Sequence, residues 1–416
     1  MFGSELMSQL IDRPEYIKQL IQHKDVDLVK IVTGIRRCGK SSLLELFHQR
    51  LLADGIPETQ IVHINLESLR YRDLTNYLKF YEYVCSKMTA GAKNYLIFDE
   101  LQVIEHWEKA IESFRLDFDV DIYITGSNAY FLSTEFSTLL SGRYVEIKML
   151  PLSFKDFLRF YEFEEPTTIE RKFQLYMQFG GMPVLREYNF NEQRCHQALE
   201  GVYSTVILRD ILQRNNQADQ RTLDKIIRFL CSSIGSITSP NNIGNVLSNE
   251  GELPSARGNR IAGKTIDKYI SMLNNAYIFY SVGRYDVRGK QILRTLGKNY
   301  ISDIGFRNML LGYRDTDTGH ILENIVYLEL LRRDYRVYIG KIGDTEIDFV
   351  AEKPDERLYI QVTETMMSEE TRARELRPLQ MIKDNHEKII LSLDRSMVNS
   401  YDGIKNLNLI DWLMKD

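Results

Sequence analysis

The segment Gly34-Ile35-Arg36-Arg37-Cys38-Gly39-Lys40-Ser41 lies between an apolar run, Leu28 to Val32, and an amphipathic stretch from Ser42 to Arg50. A loop of this type turns its backbone N–H groups inward, and side chains at the glycines would obstruct both the turn and the approach of an anion. The pattern therefore predicts strand, loop and helix, with the helix N-terminus aimed at a phosphate. Gly34, Ile35, Arg36, Arg37, Cys38, Gly39, Lys40, Ser41 and Ser42 form the expected nucleotide-binding set. Lys40 is expected to reach the β and γ phosphates of ATP, and Ser41 to offer its hydroxyl to Mg²⁺. Four fixed positions also recur by chance, so the context must decide.

That context runs from Asp27 to about Leu150, where short apolar runs alternate with helical segments, as in a parallel α/β sheet. The runs are Leu28 to Val32, Gln60 to Ile64, Tyr95 to Phe98, Asp121 to Ile124 and Tyr144 to Ile147. The third ends in Asp99-Glu100. Asp99 is expected to hold Mg²⁺ through water, and Glu100 to polarise the water that attacks the γ-phosphate. The fourth ends in Thr125-Gly126-Ser127-Asn128, where Asn128, with Ser127 close behind, can hydrogen-bond the γ-phosphate or the attacking water; a simple Gly/Ser/Asn turn is the alternative. Arg143 reads either as a sensor or arginine finger, toward its own nucleotide or a neighbour's, or as an exposed salt-bridging arginine.

Beyond residue 152 the pattern changes. Residues 153–216 read as a small helical lid broken by Gly180-Gly181-Met182-Pro183. Residues 217–314 read as helices followed by a β-hairpin turning at Val287-Arg288-Gly289-Lys290, the order of a winged helix. Residues 315–416 read as a small α/β domain, with a helix from about His320 to Arg333 and strands near Val337, Ile347 and Tyr359. A chain of 416 residues fits such a multidomain plan, and 44% hydrophobic residues suffice for buried cores. The formal charge of −5 supplies no global drive toward nucleic acid or an acidic membrane, so any such contact needs a local patch. The cysteines, Cys38, Cys85, Cys195 and Cys231, form no CxxC pair, so neither a disulfide framework nor a zinc site is indicated and a reducing cytoplasm is expected. No apolar run is long enough to span a membrane, and the N-terminus lacks a signal-peptide pattern.

Taken together, these residues resemble a large prokaryotic group of AAA-type ATPases that carry a C-terminal domain of unknown function. The resemblance rests on Thr33 to Ser41, on Phe98-Asp99-Glu100-Leu101-Gln102 with Trp107, on Thr125-Gly126-Ser127-Asn128, and on Leu140-Ser141-Gly142-Arg143 leading to Pro151-Leu152-Ser153-Phe154. It continues through Gly180 to Pro183, Arg209-Asp210, and Lys298-Asn299-Tyr300 with Asp303. It implies an ATPase core, a winged helix and a C-terminal domain similar to restriction endonucleases.

In nucleases of that fold, a helix acid, a strand Asp and an acid-x-Lys converge on Mg²⁺ and an attacking water. Glu323 and Asp348 match the first two, but Gln361 and Thr363 stand where the acid and lysine should be. An amide is a weaker Mg²⁺ ligand than a carboxylate, and threonine supplies no cation, so the domain is expected to be nuclease-inactive. Glu364 is three residues from Gln361 and so falls on the opposite face of a continuous strand. DNA contact is expected through Arg257, Arg260, Lys264 and Lys268 and through the wing residues Arg284, Arg288 and Lys290, although a solvated face has the same composition. Two classes stay open: an ATPase coupled to DNA binding or remodelling, and a nucleotide-switched signalling or scaffold protein with a protein partner. Either can involve a homo-oligomer.

Overall fold

The computed structural model describes residues 10–129, 142–215, 218–249, 262–314, 317–395 and 398–415. The expected basic positions Arg257 and Arg260, and Leu140-Ser141 of the resemblance, lie outside the described residues. Two compact units are present: Met1–Pro151 with Asn275–Tyr277, and Leu152–Asn274 with Ile278–Asp416.

The first unit is built on a five-stranded parallel sheet. Its strands are β1 (Val29–Thr33), β2 (Ile61–Asn65), β3 (Asn94–Asp99), β4 (Val120–Gly126) and β5 (Tyr144–Lys148), in spatial order β2-β3-β4-β1-β5. The apolar runs become strands because a parallel sheet is covered on both faces, and β1 and β3 are buried at every position. Alternate residues Val29, Ile31, Val62, Ile64, Leu96, Phe98, Ile122 and Ile124 form one core with Phe80, Ile111 and Phe114. Those last residues come from the helices Tyr77–Cys85 and Trp107–Asp117. The opposite face receives helix Lys40–Ala53, whose Phe47 ring stands 4.4 Å from that of Tyr123.

This core also holds a charge pair that the apolar reading of the runs passes over. Lys30 and Asp121 are both buried and bonded to each other, with Tyr123 Oη and the Asp25 N–H also donating to Asp121 at 2.8 Å. Burial lowers the Lys30 pKa while Asp121 pulls it the other way. A buried ion pair whose spare lone pairs are satisfied is tolerated, whereas removal of one partner costs roughly 3–5 kcal/mol.

The second unit opens with helices Phe154–Phe160, Ile169–Phe179 and Glu192–Thr205, followed by a π-helical turn, Val206–Leu212. Ser153 and Asp156 form a reciprocal capping box at the first of these. Helix Ile304–Leu311 packs against the helices Ile169–Phe179, Glu192–Thr205 and Gln220–Ser232. At its start the Asp303 carboxylate accepts from the N–H groups of Gly181 and Gly305 at 2.7 and 2.9 Å. A Cβ on Gly180, whose φ is +78°, would fall 2.0 Å from Asp303 Oδ1. The Gly180-Gly181 break and the distant Asp303 are therefore two halves of one junction.

After helices Pro240–Asn249 and Gly263–Asn275 comes the hairpin of β6 (Phe279–Asp286) and β7 (Gln291–Ile301), which turns at 287–290. The hairpin does not end a separate module at residue 314. β6 pairs in parallel with β8 (Arg336–Ile342), so it continues into β9 (Thr345–Lys353), β10 (Glu356–Val362), β11 (Glu387–Ser392), β12 (Ser400–Tyr401) and β13 (Ile404–Asn408). The eight strands run β12-β13-β11-β10-β9-β8-β6-β7. The expected boundary at 314/315 thus cuts through one sheet. Helix Thr318–Arg332 follows, and Asn324 on it bonds both the N–H and the C=O of Ile301, acting as one more strand residue at the edge of β7.

Candidate functional site

Gly34 leaves β1 with φ +143°, and a Cβ there would stand 2.1 Å from the Met149 carbonyl oxygen, so only glycine fits. Gly39 caps the helix Lys40–Ala53 in the left-handed region and supplies no side-chain bond to the first-turn N–H groups. The helix is fourteen residues long. An uncapped N-terminus of that length, fed by a loop that closes on its own backbone through Cys38 N–H and Ile35 C=O, suits phosphate oxygens. Lys40 is buried, its Nζ donating to the carbonyls of Gly34 and Ile35 at 2.9 and 3.1 Å. Ser41 and Ser42 are exposed beside it, whereas Ile35 and Cys38 are buried and anchor the loop.

Since β4 lies between β1 and β3, three strand ends meet at one edge. Asp99, at the end of β3, is buried; its carboxylate accepts from Thr125 Oγ at 2.5 Å and from Asn65 Nδ2 at 3.1 Å. Glu100, the next residue, adopts φ +55°. A non-glycine residue there costs of order 1–3 kcal/mol, and such strain collects at functional sites. Its N–H donates to the same Thr125 hydroxyl at 2.9 Å. Burial raises the Glu100 pKa, against the pull of Lys40 and Arg36. A carboxyl so tuned is better matched to accepting a proton near neutrality. Arg36 reaches across the loop, with Nη1 2.9 Å from Glu67 and Nη2 3.8 Å from Glu100. Arg37 is exposed at φ +64°.

Thr33 in β1 pairs with Gly126, so Ser127 and Asn128 follow directly at the same edge, and both are buried. Gln102 Nε2 donates to Glu100 Oε2 and lies 3.5 Å from Ser127 Oγ. The structure thus brings Lys40, Asp99, Glu100, Ser127 and Asn128 together. It adds Asn65, Gln102 and Thr125, to which the sequence argument gave no role. Thr125 and Gln102 stood within motifs already singled out; Asn65 carried no signal of its own.

Arg143 is not brought to this group. Tyr144 pairs with Val29 at the start of β1 and Lys148 with Thr33 at its end. Arg143 precedes Tyr144, so five residue steps of strand, about 16 Å, separate this exposed arginine from the loop edge at Lys148. A sensor role toward its own nucleotide is corrected on that ground.

In the second unit Glu323 and Asp348 do meet, and a lysine stands among them. Lys298 Nζ, on β7, lies 2.8 Å from Glu323, 2.6 Å from Glu346 and 3.7 Å from Asp348. Tyr300 Oη donates to Glu323 Oε1 at 2.5 Å. Lys298 thus brings a cation to these acids from a strand 65 residues earlier in the chain than Thr363. Gln361 is committed internally: Oε1 accepts from the Asp348 N–H at 3.2 Å and Nε2 donates to Glu375 at 3.0 Å. Burial, helped by Glu323, pushes Asp348 up to about 8 against the pull of Lys298. Glu364 is exposed, beyond the end of β10.

An open parallel sheet with a phosphate-cradling loop after its first strand and acids at the end of a nearby one defines the P-loop class. The comparisons agree. The family model described as an AAA domain matches residues 27–158, and one described as a domain of unknown function matches residues 170–317. The fold is similar to that of a Walker-type ATPase of Pyrococcus abyssi, with a TM-score of 0.50, 16% identity, and coverage of 72% of this chain and 95% of that one. The chain carries an AAA-type P-loop ATPase domain. It belongs to one family with an uncharacterized protein of Haemophilus influenzae, 38% identical over 408 residues, or 98% of this chain and 99% of that protein. A protein of Methanocaldococcus jannaschii is 28% identical over 358 residues, covering 82% of this chain and 75% of its own.

Proposed function

We propose that the protein binds ATP with Mg²⁺ and hydrolyses it, and that turnover is coupled to DNA binding or remodelling. The observation that carries the hydrolytic reading is the convergence of Lys40, Asp99 and Glu100, with both acids fixed through one Thr125 hydroxyl. The loop from Gly34 to Gly39 cradles the phosphates, with Ile35, Arg36, Arg37 and Cys38 giving it its shape, and Ser42 adds a first-turn N–H. Lys40 offsets charge on the β and γ phosphates, while Ser41 and Asp99 hold the metal. The Glu100 carboxylate takes a proton from the attacking water, and Asn128 orients that water or the γ-phosphate. Arg143 keeps a role only toward the nucleotide of another copy.

The DNA reading rests on the helices from Gln220 to Asn275 and the β6-β7 hairpin. Gly297 on the hairpin forms an antiparallel bridge with Thr238, as the strands of a winged helix do. Lys264, Lys268, Arg288 and Lys290 are exposed on these elements and suit phosphate contacts. We take the following strands and helices as restriction-endonuclease-like and nuclease-inactive. Lys298 takes up the charge of Glu323, Glu346 and Asp348, and the Gln361 amide is already spent on the Asp348 N–H and on Glu375. Mg²⁺-dependent cleavage of plasmid DNA, lost in Asp348→Asn, would overturn that part.

The coupling is tested by the ATPase rate with and without duplex DNA, run beside native mass by light scattering. Stimulation by DNA that weakens with rising salt is expected. Unchanged turnover, with ATP-dependent capture of a protein partner instead, would favour the signalling alternative.

A further inference from the structure

On the helix that begins with Lys40, Glu45 and His48 lie on the same side, one turn apart, and β2 presents His63 to them. His48 Nδ1 and His63 Nδ1 are 3.1 Å apart, and Glu45 Oε2 is 3.7 Å from His63 Nδ1. Two ligand atoms on one tetrahedral Zn²⁺, each about 2.0–2.1 Å from it, stand roughly 3.3 Å from each other. The observed spacings bracket that value. Behind His48, its Nε2 is 3.4 Å from Glu58 Oε2. A carboxylate taking the outer N–H of an imidazole fixes its tautomer and turns the other nitrogen's lone pair inward, as metal-binding histidines require.

In the tautomer that donates Nε2–H to Glu58, His48 turns the Nδ1 lone pair toward His63. Three potential ligand atoms, His48 Nδ1, His63 Nδ1 and Glu45 Oε2, therefore converge. The imidazoles are mostly buried, with side-chain exposures of 14% for His48 and 17% for His63, while Glu45 at 36% and Glu58 at 68% line the way in.

We propose that Glu45, His48 and His63 bind one Zn²⁺ ion, with Glu58 orienting His48. Two imidazoles and a carboxylate suit Zn²⁺ and leave a fourth position for water. Such an ion would tie the helix carrying Lys40 and Ser41 to β2, the strand beside the one that bears Asp99. None of these residues is among those proposed to hold Mg²⁺.

The test is calorimetric titration of the tag-free full chain with zinc chloride, without nucleotide and in excess Mg²⁺. It is run beside Co²⁺ absorption spectra and thermal unfolding of each variant without metal. One equivalent of Zn²⁺ should bind, Co²⁺ should give four-coordinate visible bands, and Glu45→Gln and His63→Gln should lose both. Glu58→Gln, which only orients a ligand, should weaken binding about 10- to 100-fold. Should His63→Gln fail to fold, Glu45→Gln, altered at a partly exposed carboxylate, still decides the matter. No binding by the wild type, or equal binding by wild type and Glu45→Gln, would overturn the proposal.

Discussion

At the scale of residues, Thr125 shows how the site is held. Its one hydroxyl donates to Asp99 and accepts from the Glu100 N–H, locking into one frame the acid proposed to hold the metal and the acid proposed to polarise water. Thr125→Val keeps the shape and removes both bonds. At about 1 kcal/mol or more for each, turnover should fall roughly tenfold or beyond, with nucleotide affinity nearly unchanged; equal turnover in steady-state assays would show that the hydroxyl is dispensable. Asp348 offers a second test at this scale. Its pKa rises from the ordinary 3.8 to about 8 on folding, so the folded state holds a proton that the unfolded chain releases. The stabilisation is complete below about pH 4 and is lost as the pH climbs toward 8. Thermal unfolding of Asp348→Asn should therefore show a flatter decline over that window than the wild type. Asp303, pushed up to about 7 by burial, contributes the same sign in both proteins. Parallel curves would contradict the assignment.

Among the elements, what was legible in the sequence was whatever depends on neighbours along the chain. The strands β1 to β5 lie within a residue or two of the apolar runs, because a strand buried on both faces is written as a continuous run. The loop was legible because glycines at 34 and 39 answer to local geometry. Relations between distant segments were not. His48 and His63 sit on a helix and a strand, with no cysteine pair or short spacing to announce them. Lys30 and Asp121 look like interruptions in apolar runs until parallel pairing sets β1 beside β4 and buries both. Lys298 meets Glu323 and Asp348 only because the hairpin joins the later sheet.

For the whole molecule, that joining alters the plan. The hairpin β6-β7 and the strands β8 to β13 form one sheet, so Lys298 and Tyr300 on the hairpin bond directly to Glu323 on the helix that follows it. The nucleotide centre lies entirely in the other unit, and its chemistry is the central claim. The most direct measurement is ATP turnover and nucleotide retention by the wild type, Lys40→Ala and Glu100→Gln. Lys40→Ala should lose nucleotide binding or turnover, and Glu100→Gln should retain bound ATP while hydrolysis falls by about a hundredfold or more. Wild-type rates in both variants would contradict the account.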